Sequence, residues 1–202
     1  MPLEMSDEPI QRTPAEALDL LKEGNRRFLS GEGLYPHHRK HSGPTAIKPQ
    51  NPVACVLGCS DSRVPPQLLF DQQVGGLFMV RVAGNIIDRL VLASIEYSVL
   101  VLQTPLILVL GHQNCGAVQA AMDQDHHEGH LGSLIKQIKP IFSRCQDPTD
   151  VNEAVRLNIQ EVTHKLRCEP IFKERIAQGT LDIAGSYYDL EHGVIDFMDL
   201  IH

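Results

Sequence analysis

The amino-acid sequence predicts an α/β protein whose core is a parallel sheet flanked by helices. Two short, continuous apolar runs, at residues 53–57 and 106–110, are typical of strands buried on both faces, as in parallel sheets. A third apolar run at 77–82 predicts another strand, and apolar residues at helical spacing predict a helix over 88–102. The order strand, helix, strand predicts a right-handed parallel crossover.

A separate helix is predicted near the amino terminus. Thr13 and Glu16 form a capping-box pattern with Pro14 at the first helical position, and the helix should run to about Leu29. A segment containing Pro, Gly and His, residues 31–51, separates this helix from the first core strand. We therefore expect an extended N-terminal helical arm that packs at a distance from the core, for example on another subunit.

The carboxyl-terminal half alternates helical and extended patterns. Apolar residues recur at helical spacing over 150–167, which predicts an amphipathic helix there. Shorter helices are predicted over 116–122, 134–142 and 170–178. Pro140 should interrupt the second of these short helices. Two final apolar runs, at 181–186 and 194–198, resemble a terminal hairpin.

Length and composition describe one soluble domain over 1–202, with the arm and linker at 1–50 and an α/β core at 51–202. A net charge of -7 argues against a nucleic-acid partner. The sequence contains no uncharged apolar stretch long enough for a membrane span, and residues 1–11 carry acids and prolines where a signal peptide would need a basic end and an apolar block. We therefore expect a cytoplasmic protein without a membrane partner.

Two short motifs predict a metal centre. Cys59 follows the first core strand, and His112 and Cys115 follow the strand at 106–110. Because active sites in open parallel sheets form beyond the carboxyl ends of strands, these side chains should lie close together. Two thiolates and one imidazole favour zinc, and three protein ligands leave the fourth position open, as in catalytic zinc sites. The glycine before each first ligand, Gly58 or Gly111, should let the backbone come close to the metal.

Residues beside the ligands predict proton chemistry. Asp61 and Arg63 lie two and four residues beyond Cys59, which in an extended segment places all three on one side. An arginine paired with the aspartate would hold the carboxylate ionised and able to accept a proton. If the pair breaks, Asp61 could instead become a fourth metal ligand and exclude water. The first amides of the helix that starts at Gly116 should favour an anionic substrate.

The Cys-Ser-Asp-Ser-Arg run at 59–63, followed by His-x-x-Cys-Gly at 112–116, resembles β-class carbonic anhydrases. The resemblance implies reversible hydration of CO2 to bicarbonate and a proton by zinc hydroxide, on a Rossmann-like sheet assembled as a homodimer or a dimer of dimers. It implies that the zinc ligands are Cys59, His112 and Cys115. It further implies that Asp61 and Arg63 orient the hydroxide and that Gln50 lies in the substrate pocket.

Two other functions remain compatible with the residues. The same fold and metal could hydrolyse a sulfur analogue of CO2, such as carbonyl sulfide or carbon disulfide. The chain could also be a non-enzymatic, zinc-stabilised module or thiol sensor, in which Asp61 or another side chain permanently fills the fourth position.

Overall fold

A computed structural model of the chain describes residues 11–34, 49–123 and 129–198. Its centre is a five-stranded sheet in the order β2-β1-β3-β4-β5. The strands are β1 (Ala54–Gly58), β2 (Leu77–Arg81), β3 (Leu106–His112), β4 (Asp182–Tyr188) and β5 (Ile195–Met198). The first four strands are parallel to one another, and β5 runs antiparallel to β4. The predicted parallel sheet and the terminal hairpin are both confirmed.

Seven α-helices surround this sheet in the described part of the chain. They are α1 (Pro14–Ser30), α2 (Pro66–Leu69), α3 (Arg89–Leu100), α4 (Gly116–Met122), α5 (Gly129–Ile138), α6 (Val151–Cys168) and α7 (Pro170–Ala177). None of the helices described is long and apolar enough to cross a membrane. The helix predicted over 134–142 ends early, because Pro140 converts its last part into a 3-10 helix, Lys139–Arg144.

The helix ends follow elementary capping chemistry. The Thr13 hydroxyl accepts the Glu16 amide, and the Glu16 carboxylate accepts the Thr13 amide, so the predicted capping box of α1 is present. The carboxylate of Asp88 accepts two amides at the start of α3, and that of Asp150 accepts two at the start of α6. These caps satisfy amides that the helices themselves leave without partners.

Apolar side chains fill both faces of the sheet. Along β1, Cys55 and Leu57 point into a core shared with α3, α4, α5 and α6, while Ala54 and Val56 point into a core shared with α1 and α2. All four residues are fully buried. Burial on both faces explains why this strand reads as a continuous apolar run rather than an alternating pattern.

Helix α1 packs on the core of its own chain, so the predicted detachment of this arm is wrong. Ala17 and Leu21 are fully buried in the second core. The amide of Asn25 donates to the carbonyls of Leu69 and Gly193, and its oxygen accepts the amide of Ile195. These polar contacts fix the helix against α2 and β5. A long linker permits distance, but here the apolar face of the helix decides its position.

Gly24 permits this packing. A β-carbon built there would lie 1.8 Å from the carbonyl oxygen of Phe70, so the helix backbone directly touches the residue that ends α2. We expect Gly24→Ala to lower the free energy of unfolding by about 1–3 kcal/mol, the usual cost of overpacking, although alanine favours a helix by roughly 1 kcal/mol. Urea unfolding measures the change, with the exposed Asp19→Ala on the same helix as control. Equal stability of both variants would show that α1 does not pack on its own chain in solution.

Candidate metal centre

Three donor side chains converge at the carboxyl ends of β1 and β3. Cys59 follows β1 directly, His112 is the last residue of β3, and Cys115 precedes α4. They are 4%, 0% and 1% exposed, and their donor atoms all lie within 4.8 Å of one another. The Sγ atoms of the two cysteines are 3.9 Å apart. The structure therefore brings together the three predicted ligands, which are 56 positions apart at most.

The His112 ring is arranged as a metal ligand. Its Nδ1 lies 3.0 Å from the backbone oxygen of Gln113 and donates to it in the neutral ring. This bond leaves the lone pair of Nε2 available. Nε2 is buried and has no hydrogen-bond partner among the described residues. A buried nitrogen of this kind is costly unless something accepts its lone pair, and a cation does so.

The two thiols are strongly coupled. Their mutual hydrogen bond, with further help from the amides of Gly84 and Asp61, lowers the pKa of Cys59 to about 4 against the cost of burial. The same contact and burial raise the pKa of Cys115. Two thiols this close compete for one proton, whereas a divalent cation stabilises both as thiolates. The donor set thus fits a thiophilic metal such as zinc.

Arg81, the last residue of β2, holds the loop that carries Cys59. Its Nε donates to the carbonyl of Cys59 at 2.9 Å, and its Nη2 donates to the carbonyl of Asp61 at 2.7 Å. Sequence reasoning assigned this arginine no contact with the site. Its only signal was a charged residue near the end of a predicted strand, which does not show where the guanidinium points.

Asp61 and Arg63 form a two-bond ion pair beside the donor set. Nε of Arg63 donates to Oδ1 at 3.0 Å, and Nη2 donates to Oδ2 at 2.8 Å. Oδ2 also lies 3.8 Å from Nε2 of His112, too far for a hydrogen bond. The bond from the arginine side chain is the largest cause that lowers the pKa of Asp61 to about 2. The carboxylate is therefore ionised throughout the neutral range.

The local backbone that creates this pair is a turn, so the predicted extended segment is wrong. The amide of Arg63 donates to Oδ1 of Asp61 at 2.9 Å, and the amide of Val64 donates to the Asp61 carbonyl at 3.1 Å. Aspartate favours such turns because its side chain can accept an amide two residues on. The turn brings the arginine back over the carboxylate.

Gln50 and Gly116 occupy different positions relative to the ligands. Gln50 is exposed and precedes β1, whereas Cys59 follows the other end of that strand, about 13 Å away at ~3.3 Å per residue. Its neighbours Asn51 and Pro52 line a cleft of about 540 Å³ with Thr104 and Thr180, at the amino-terminal edge of the sheet. The structure does not bring Gln50 to the ligands of its own chain.

Gly116 begins α4 directly after Cys115 and is exposed. The amides of the next two residues, Ala117 and Val118, bond to the Cys115 sulfur and partly oppose the rise in the pKa of its thiol. The first amides of α4 therefore serve a predicted ligand, and a role of Gly116 in substrate binding stays a prediction.

The two glycines before the ligands are not required for the predicted reason. A β-carbon at Gly58 would meet no atom closer than 4.0 Å, and the residue has no positive φ. At Gly111 a β-carbon would lie 2.6 Å from Cδ1 of Ile159, on helix α6. Gly111 therefore allows α6 to pack close to β3, and neither glycine is explained by approach to a metal.

Comparison with known proteins identifies the family. A parallel α/β sheet with a buried Cys–His–Cys donor set defines a candidate metalloenzyme. A family model described as carbonic anhydrase matches residues 54–195. Carbonic anhydrase 2 of Mycobacterium tuberculosis is 38% identical over 187 residues, covering 89% of this chain and 90% of that protein. Carbonic anhydrase of Mycolicibacterium smegmatis is 37% identical over 190 residues, covering 91% and 92%.

A solved structure agrees with these sequence relatives. One of two tetrameric β-carbonic anhydrases from Sordaria macrospora superposes with a TM-score of 0.72 at 26% identity, over 85% of this chain and 92% of that one. The chain therefore belongs to the β-carbonic anhydrase family.

Loss of a predicted ligand should remove the metal. We expect His112→Ala and Cys115→Ser each to abolish stoichiometric zinc at this site, because two remaining donors hold zinc far more weakly than three. Metal analysis after dialysis against a weak chelator measures the zinc content. Cys168→Ser is the matched control, since this exposed cysteine lies at the end of α6. One zinc per chain in either ligand variant would contradict the assignment.

Proposed function

We propose that the chain catalyses the reversible hydration of CO2 to bicarbonate and a proton, with zinc held by Cys59, His112 and Cys115. The observation that carries this proposal is the buried donor set, in which Nε2 of His112 has no partner among the described residues. Membership of the β-carbonic anhydrase family supports the reaction. Two sulfur donors and one imidazole favour zinc over harder cations.

The protein supplies three ligands and a nearby carboxylate. Three-ligand zinc sites are typical of catalysis because one position stays open to water. When bound, zinc supplies Lewis-acid activation of water at near-neutral pH. In this proposal the three buried ligands would hold the cation. Asp61 lies beside them on the side that is partly open to solvent, and 16% of its side chain is exposed.

We assign Asp61 the role of a hydrogen-bond and proton acceptor. Its pKa of about 2 means that the carboxylate can accept but not donate at neutral pH. Oδ2 is the oxygen on the His112 side, and the Arg63 guanidinium fixes its direction. As long as this ion pair persists, the carboxylate is engaged by the arginine, which favours the arrangement open to water over the one with Asp61 as a fourth ligand.

Asp61 and the reacting water should titrate in different pH ranges, so the pH dependence of activity distinguishes them. A depressed pKa means that the Asp61 pair is intact above the usual aspartate range and is lost only as pH falls towards 2. Asp61 therefore gives no titration between pH 7 and 9. Two thiolates would neutralise the charge of zinc, so the cation should lower the pKa of the reacting water less than it would with neutral ligands. Activity should therefore rise with pH in this range.

Stopped-flow CO2 hydration with a pH indicator, on protein of known zinc content, tests the proposal. We expect turnover that rises from pH 7 to pH 9 at one zinc per chain. Stoichiometric zinc without turnover at any of these pH values would contradict it. Turnover of carbonyl sulfide or carbon disulfide would then support the sulfur-analogue hydrolase, and its absence would support a non-enzymatic zinc module.

The variant Asp61→Asn isolates the acceptor role. Asparagine keeps an oxygen for the Arg63 amide, so the turn should persist, but it loses the charged acceptor. We expect zinc to be retained and kcat to fall by roughly 10²–10⁴-fold, the usual contribution of general acid-base groups. Asp19→Asn, on the exposed side of α1, is the matched control. Unchanged kcat in Asp61→Asn would exclude the assigned role.

We also propose that the chain assembles as a homodimer or a dimer of dimers. Large apolar side chains are exposed along α3 and just beyond its end: Leu90 is 76% exposed, Tyr97 46%, Leu100 42% and Val101 61%. A stripe of this kind is typical of a surface covered by another protein, and the Sordaria relatives are described as tetrameric. The cytoplasmic location stays a prediction from the sequence.

Charge on this stripe should weaken the assembly. We expect the double variant Leu90→Glu, Val101→Glu to sediment as a smaller species than the wild-type protein at the same concentration, because burying two carboxylates in an apolar contact is unfavourable. Lys173→Glu, an exposed change on α7, is the control. An unchanged mass of the double variant would place the subunit contact elsewhere.

A further inference from the structure

Helix α6 supplies no predicted metal ligand, yet it contacts two of the backbone turns that adjoin the donor set. We infer that Asn152 and Asn158 of this helix are positioning residues of the metal centre, each fixing one turn beside a ligand. The inference rests on the proposed zinc site. Its support is a set of hydrogen bonds that connect these two amides, directly or through one residue, to the turns carrying or facing the ligands.

Asn152 fixes the turn between two ligands. The amide of Asn114 donates to Oδ1 of Asn152 at 2.9 Å, and Asn114 lies between His112 and Cys115 in the chain. Asn114 has φ of +51°, in the left-handed region that non-glycine residues seldom adopt. A turn held in this region needs outside support to keep one geometry. Oδ1 of Asn152 provides that support by accepting the central amide.

The supporting amide is itself oriented. The hydroxyl of Tyr187 donates to the same Oδ1 of Asn152 at 3.1 Å. The Arg156 guanidinium stacks 3.9 Å from the centre of the Tyr187 ring and pairs with Asp196 at 2.8 Å. Strands β4 and β5 therefore help α6 to hold the ligand turn, and removal of the Asn152 oxygen would release both donors.

Asn158 fixes the turn that faces Cys59. Its Nδ2 donates to the carbonyl of Gly84 at 2.8 Å, and the Asn158 side chain is almost fully buried. The amide of Gly84 in turn donates to Sγ of Cys59 at 3.3 Å. Gly84 has φ of +70°, and a β-carbon there would lie 2.7 Å from Cδ1 of Ile138. The turn is therefore closely packed and favours glycine at this position. Asn158 thus contacts the Cys59 sulfur indirectly, through the backbone of one residue, Gly84.

Outer contacts of this kind matter to metal sites because they hold the ligands in a geometry that the bare turns would not keep. Loss of one typically lowers metal affinity by 10- to 100-fold. A purely structural role of the two asparagines would instead lower thermal stability and leave the affinity for metal and the geometry around it unchanged. These two readouts separate the alternatives.

The experiment compares zinc-loaded wild-type protein with Asn152→Leu, Asn152→Asp and Gln160→Ala. A chelator competition gives the zinc dissociation constant, and the absorption spectrum of the Co²⁺-substituted protein reports the ligand geometry. We expect Asn152→Leu to raise the dissociation constant about 10- to 100-fold and to alter the spectrum. Asn152→Asp keeps the oxygen acceptor and should restore tight binding. Gln160→Ala, on the same helix, should match the wild-type protein.

Asn158→Ser provides the second variant, because serine is too short to reach the Gly84 carbonyl but remains polar. The same direction of change is expected in affinity and spectrum. Wild-type affinity and spectrum in Asn152→Leu and in every folded variant would overturn the inference and leave the proposed function intact. Failure of the wild-type protein to bind one zinc per chain would instead overturn the proposed function itself.

Discussion

The candidate site depends on the parallel pairing of β1 with β3. Gly58 lies opposite Leu110 in this register, so Cys59 leaves the sheet at the same edge as His112. Both strands are buried on both faces. A slip by one residue would send every side chain of a strand to the opposite core, so the register is strongly fixed by packing. The distance between Cys59 and His112 is therefore set by apolar packing along the two strands that precede them.

Burial of these donors has an electrostatic consequence. A thiolate in an apolar interior is unfavourable, and the fully buried Cys55 shows this, since burial raises the pKa of its thiol to about 12. Cys59 is also buried, yet its pKa falls to about 4 because hydrogen bonds surround its sulfur. Cys55 lies in β1, and Cys59 directly follows that strand. The hydrogen bonds around the Cys59 sulfur, above all the one with Cys115, therefore outweigh the cost of burial that dominates at Cys55.

Much of this arrangement could be predicted from local patterns. Apolar runs identified the central strands, a capping box identified α1, and the spacing of Cys59, His112 and Cys115 identified the donor set. What could not be predicted depends on contacts distant in sequence. The packing of α1 depends on a glycine against the Phe70 carbonyl, and Arg81 reaches the Cys59 loop from a neighbouring strand.

The same limit applies to helix α6. Its apolar spacing predicts a buried face, and Val155, Ile159 and Val162 are indeed buried in the first core. That pattern does not distinguish Asn152 and Asn158 from the other polar residues of the helix. The close approach of α6 to the sheet, at Gly111 of β3 and Gly185 of β4, places Asn152 beside the turn between His112 and Cys115. Two glycines distant in sequence thus help to decide which polar side chains of α6 reach the candidate site.

The Asp61–Arg63 pair shows how the fold divides one task between backbone and side chain. The Arg63 side chain is 57% exposed, and exposed ion pairs contribute little to stability. The Arg63 amide, however, bonds to Oδ1 independently of the side chain. Oδ1 is thus fixed by the turn, whereas Oδ2, the oxygen nearest His112, is held by Nη2 of the guanidinium. Arg63 therefore controls the direction of the oxygen to which the proposed reaction assigns the role of proton acceptor.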